Sequence, residues 1–138
     1  MMAWLELAIL IAMPFMVVLV VILWRKTPRR LRVKRYQGDW KQLQIFCKDQ
    51  TTWPKALADA DKLLDQVLKR RKYSGKSMGE RLVSAQRKLS DNESIWKAHN
   101  LTNKVTDNPS LKIRETVVKS SLIAYRQALR DLGALNDK

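Results

Sequence analysis

The chain carries little with which to perform covalent or metal chemistry. It has one cysteine and one histidine in 138 residues. Cys47 has no partner within the chain, so an intrachain disulfide is excluded, which suits a reducing compartment. Cys47 and His99 are too few to assemble a zinc site in one chain. Catalysis of the Ser-His-Asp or Cys-His kind would have to use His99, and no Gly-x-Ser-x-Gly element supplies a nucleophile. These shortages predict no cofactor and no metal. Glycine and proline are also sparse, at four each, which leaves long stretches without a breaker. Alternation of β-branched residues, internal repeats and low-complexity segments are all lacking. An all-α chain is the expectation.

What the sequence does have is one long run without charge, Leu7 to Trp24. Its eighteen residues are enough to cross most of a bilayer as a helix, at about 1.5 Å per residue against roughly 30 Å of hydrocarbon. Trp4 and Trp24 stand near its ends, as aromatic side chains do at headgroup level. Glu6 lies within a turn of the outer end, where it reaches water. Pro14 is mid-run, a position that membrane helices tolerate. The start is acidic and no Ala-x-Ala site follows the run, so a retained anchor is expected rather than a cleaved signal.

Arg25, Lys26, Arg29, Arg30, Arg32, Lys34 and Arg35 follow directly. By the asymmetry of lysine and arginine, the N-terminus is expected outside and residues 25–138 in the cytoplasm, at a cell (inner) membrane. The same residues are placed to meet anionic headgroups, at about 1 kcal/mol for each near-surface charge. They also account for half of the formal charge of +14. The remaining 36–138 region has 20 basic and 12 acidic side chains, a balance too mild to demand nucleic acid. The organisation expected is an anchor over 1–24, a basic juxtamembrane linker over 25–38 and a cytoplasmic helical bundle over 39–138.

Within that last part, Asp39 is expected to cap a short helix through Lys48 that carries Trp40, Leu43, Phe46 and Cys47. A second helix is expected to start at Thr51 or Thr52 with Pro54 in its first turn, and to bury Leu57, Ala60, Leu64 and Val67. Gly75 is the expected stop. Ser77 and Glu80 have capping-box spacing ahead of Met78, Leu82, Ala85 and Leu89. Ser90 and Glu93 repeat it ahead of Ile95, Trp96, His99, Leu101 and Val105. The last helix is expected from near Ser110, with Val118, Leu122, Tyr125, Leu129 and Leu132 inward and Gly133 at its end. Short connections favour antiparallel neighbours, hence a four-helix bundle with a short leading helix.

Several motifs have a structural reading that outweighs the chemical one. Gly75-Lys76-Ser77 ends like a phosphate-binding loop, but the glycine required five residues earlier is Arg70. Asp61, Asp65 and Glu80 suggest a metal set; beside Lys62 and Lys69 they are expected to form a solvated charged face. Trp40, Trp53 and Trp96 have the spacing of core anchors rather than of base-stacking platforms. His99, a possible polar site, is expected at the core rim beside Trp96, hydrogen-bonded to a neighbour.

Trp53, Ala60-Asp61-Lys62-Leu63-Leu64-Asp65, Gly75, Met78-Gly79-Glu80-Arg81-Leu82, Trp96-Lys97-Ala98-His99, Tyr125 and Ala128-Leu129-Arg130-Asp131-Leu132-Gly133 form a pattern. Over roughly residues 40 to 135 it resembles the HEPN family of all-helical bundles, in particular a short membrane-anchored variant among uncharacterised bacterial proteins. Catalytic members use an arginine, commonly followed by Asn, and a histidine a few residues later. Carried onto this chain, the arginine falls on Thr102, followed by Asn103, and the histidine falls on Asp107. Thr102 cannot hold a phosphate charge and Asp107 repels one. The resemblance therefore implies the fold without the nuclease, and pairing as a homodimer. The expected role is a non-enzymatic, membrane-tethered interaction module for a protein partner that the sequence does not name. RNA binding through surface Lys and Arg, or RNA cleavage by relocated residues, is the alternative.

Overall fold

The computed structural model describes residues 2–27 and 31–136. Six α-helices and two short 3-10 turns make up the regular structure, with no strand among the described residues. Helix α1, Met2–Lys26, is 25 residues long, about 37 Å at the usual rise. It is long and apolar enough to cross a membrane. None of its residues is buried, and Arg25 and Lys26 form its last turn. Trp4 and Trp24 are exposed near its two ends. Arg29 and Arg30 lie outside the described residues.

Helix α2, Val33–Gln44, starts inside the stretch read as a linker. Tyr36 is already in the core, together with Trp40 and Leu43. Asp39 is therefore a mid-helix residue, not a cap. It faces Arg35 one turn earlier at 3.9 Å, while Arg32 occupies the cap position without a side-chain hydrogen bond. The helix also ends sooner than Lys48, in the 3-10 turns Ile45–Cys47 and Gln50–Thr52. Asp49 caps the second turn by accepting from Thr51 N. Thr52 stands before helix α3, Trp53–Arg70, but its hydroxyl donates backwards to Phe46 O at 2.6 Å instead of capping. Trp53 Nε1 donates to Cys47 O at 2.9 Å. These bonds fix the α2–α3 corner.

Helix α3 has the strongest apolar stripe, with Leu57, Leu64, Val67 and Leu68 fully buried. Each such side chain contributes about 1.5–3 kcal/mol relative to exposure. It runs against α2, the short α4 (Met78–Ser84), α5 (Asn92–Asp107) and α6 (Glu115–Asp131). Helices α5 and α6 also pack on each other, so α3, α5 and α6 enclose the centre. Trp53 and Trp96 are half-buried at its edge; only Trp40 is a buried anchor.

The caps show how closely side-chain chemistry sets the ends. Ser77 accepts from Glu80 N as expected, and Glu80 reaches back to Lys76 N at 2.7 Å. For α5 the cap is Asp91 rather than Ser90: it takes both Ser94 N and Ser94 Oγ. Ser90 instead donates from N and Oγ to Asp131 Oδ2, joining the α4–α5 loop to α6. Helix α4 stops at Ser84, although Ala85 and Leu89 remain buried beyond it. Helix α6 starts at Glu115, not Ser110, whose hydroxyl turns to Asn108 Oδ1. At the end of α3 the left-handed residue is Lys72 (φ 63°), not Gly75. Tyr73 N reaches Leu68 O and Lys72 N reaches Lys69 O, a Schellman closure. Gly133 (φ 79°) closes α6 in the same way.

Gly75 is needed for a different reason. A Cβ there would lie 2.7 Å from Glu80 Cβ and 2.8 Å from Arg81 N. Gly75→Ala is expected to lose at least about 2 kcal/mol, because backbone must move. Lys72→Gly is expected to gain up to about 1 kcal/mol by relieving the left-handed side chain. Thermal unfolding of the full chain in mild detergent reads both; a gain at Gly75 or a loss at Lys72 would contradict this account.

Candidate functional site

The polar centre of the bundle is built around Asp61. Its place on α3 follows from sequence spacing: four residues after Leu57 and three before Leu64, it shares their stripe. Asp61 Oδ1 accepts from Tyr125 OH on α6 at 2.8 Å and lies 2.8 Å from His99 Nδ1 on α5. Tyr125 is fully buried, and its hydroxyl is also 2.7 Å from Thr102 Oγ1. Thr102 Oγ1 is also 2.9 Å from Ala98 O one turn back, and with Tyr125 donating to Asp61 the single Thr102 proton is shared between Ala98 O and the Tyr125 oxygen. One carboxylate oxygen thus joins three helices.

The geometry orders the protons. Burial, reinforced by the nearby Asp61 charge, pushes the Tyr125 phenol far above its ordinary value. It stays protonated and donates. His99 is 8% exposed, with its ring edge-on to Trp96 at 6.0 Å between centroids. Its Nε2 faces Asn103 Nδ2 at 3.4 Å. Nδ1 faces the Asp61 carboxylate oxygen, which only accepts, so that nitrogen is the donor of the pair.

A carboxylate that orients an imidazole is the arrangement of a general base. Here the ring is buried and both nitrogens are engaged. Thr102, where the resemblance puts an arginine, is buried with its hydroxyl committed to Ala98 and Tyr125. Asp107 is exposed at the end of α5, about 12 Å along the axis from His99. The structure brings Thr102, Asn103 and His99 together and leaves Asp107 apart. As arranged, the network fastens helices.

The three acids weighed as a metal set part company. Asp65 receives Arg81 Nε at 2.7 Å and Lys69 Nζ at 3.1 Å; Glu80 serves a backbone N–H. No group of three metal-ligating side chains occurs among the described residues. The expectation of a solvated face fails for Asp61 and Asp65, which are only 18% and 19% exposed in their side chains. Lys62, taken as a neighbouring charge, is exposed beside the cleft between α2 and α3. Arg81, buried at 7%, also donates to Gly75 O, so α3 holds the loop ahead of α4. Burial raises the Asp65 carboxyl, but hydrogen bonds from Arg81 and Lys69 outweigh it and hold the group below the usual range. Burial raises the Cys47 thiol, away from nucleophilic use.

No family model, curated protein or solved structure matches the chain.

Tyr125→Phe is expected to cost about 1–2 kcal/mol and Asp61→Ala about 2–3 kcal/mol, since the latter strands two donors. Urea unfolding of the full chain in detergent measures both, and losses below about 0.5 kcal/mol would remove the fastener. Acid supplies a further check. With its pKa depressed on folding, Asp65 stabilises the fold above the unfolded carboxyl value of about 3.9, and this is lost as pH falls through the folded value. Arg81→Met should therefore be destabilising at neutral pH, with a penalty that narrows below about pH 4. A penalty independent of pH would assign the loss to packing alone.

Proposed function

We propose that this chain is a single-pass membrane protein whose cytoplasmic helical bundle is a non-catalytic interaction module, similar in fold to HEPN domains. The observation that carries the reading is the pairing of α1, apolar and unburied along its whole length, with the basic residues at its C-terminal end. A helix with no buried residue is not a core helix of the bundle, and lipid satisfies it on every side. Lys34 and Arg35 add support. They sit in the first turn of α2, where the helix dipole disfavours positive charge. Anionic headgroups beside them would offset that cost. The N-terminus is outside and residues 25–138 are cytoplasmic in this reading.

The bundle's part is to present a surface. The polar centre is spent on holding helices, and the motif positions Thr102, Asn103 and Asp107 do not converge on a phosphate. A protein partner fits this best, and a second copy of the chain is one such partner. RNA cleavage is opposed by the same geometry. Purified full chain incubated with mixed RNA is expected to leave it intact, with no change on His99→Ala.

Alkaline carbonate should leave the chain in the membrane pellet. A membrane-impermeant thiol reagent should modify the exposed Ser110→Cys, in a Cys47→Ser background, only after cells are permeabilised. Release by carbonate would end the anchor, and labelling of intact cells would invert the orientation. Crosslinking in native membranes, followed by pull-down, then identifies the partner.

A further inference from the structure

Between α2 and α6 the bundle has a cleft of ≈ 330 Å³. Trp40 and Leu43 line it from α2, and Leu122 and Ile123 from α6. Beside it lies a second cleft of ≈ 340 Å³ that shares Trp40 and Arg126. Trp40 is 7% exposed, yet its indole Nε1 is buried with no hydrogen-bond partner among the described residues. Ile123, by contrast, is 67% exposed, a large apolar side chain standing at the edge of the groove.

The charge around this face has one sign. Lys119 and Arg126 line the first cleft, Lys41 and Arg126 the second, and neither is lined by an acid. Lys119 meets Glu115 at 3.0 Å, but as an exposed i,i+4 pair that solvent screens. The cleft between α2 and α3 lacks such a bias: Asp39 and Asp59 stand there beside Lys55 and Lys62. On the other side of Ile123, Asp91 and Asp131 are committed to Ser94 and Ser90.

We propose that the α2/α6 face docks the bundle onto the membrane, with Ile123 entering the headgroup layer and Lys41, Lys119 and Arg126 meeting anionic phospholipid. This rests on α1 being a membrane anchor. Two features single out lipid as the occupant. An apolar crest flanked on its α2 side by Lys41, Lys119 and Arg126 is the pattern of an interfacial surface. The tether keeps the surface close: residues 27–32 separate α1 from α2 and span at most about 20 Å. Such a linker gives an effective concentration in the millimolar range, so a weak docking surface is enough.

The test uses the full chain in nanodiscs of phosphatidylcholine, alone or with about one-third phosphatidylglycerol. A nitroxide is attached to Ile123→Cys in a Cys47→Ser background, which keeps an apolar group at the crest. Its collisions with oxygen and with a water-soluble nickel chelate report depth. With phosphatidylglycerol, chelate collisions should fall several-fold and oxygen collisions rise. Adding Lys119→Glu and Arg126→Glu should restore the values found in phosphatidylcholine. Equal chelate access in both lipids overturns the proposal. So does shielding from both probes, or shielding seen only in native membranes, because the occupant is then protein. Co-elution of the chain with the discs reports the anchor separately, so loss of docking and loss of the anchor are told apart.

Discussion

The bundle depends on the carboxylate of Asp61. It sits on the apolar stripe of α3 and is met there by Tyr125 from α6 and His99 from α5. A buried carboxylate is costly unless its oxygens are engaged, and a buried phenol is costly unless its hydroxyl is. Each group offsets the other's penalty only when three helices stand in one arrangement. Apolar packing of Leu57, Leu64 and Leu129 would tolerate small slides along the helices; hydrogen bonds of 2.8 Å do not. The polar centre therefore selects one packing from several that the apolar stripes would permit.

The second polar tie, Asp65 to Arg81, works at the periphery. It lies one turn further along α3 and holds the loop at Gly75 and the start of α4, with Arg81 buried over the pair. Helix α4 has seven residues, too few to persist alone, and it relies on this tie, its Ser77 cap and the burial of Met78 and Leu82. Two acids four residues apart on α3 thus organise both halves of the bundle. Thr102 is absorbed into this architecture as an inward hydroxyl.

Much of the helix content was legible in the sequence because apolar spacing and cap chemistry are local. The stripe of α3, the Ser77 cap and the end at Gly133 follow from neighbours within a few residues. The misplacements have local causes too. Asp39 has the chemistry of a cap, but Tyr36 pulls the helix start back to Val33 by entering the core. Ser90 has capping-box spacing, yet Asp91 is the better acceptor and leaves Ser90 for Asp131. Asp61 beside Lys62 looked solvated because a linear sequence weights adjacent charges, whereas on a helix adjacent residues point about 100° apart. Its i−4 and i+3 neighbours, Leu57 and Leu64, were the better guide.

The sequence by itself determined what depends on composition and short-range spacing: an all-helical chain, a helix long and apolar enough to cross a membrane, and a basic flank beside it. Those properties need no partner in space. Which carboxylates turn inward, that His99, Tyr125 and Thr102 share one network, and that α2 and α6 leave a basic apolar groove were decided by tertiary structure. The physical reason is separation along the chain. Asp61 and Tyr125 are 64 residues apart, and their bond exists only once the packing of three helices has removed water from both.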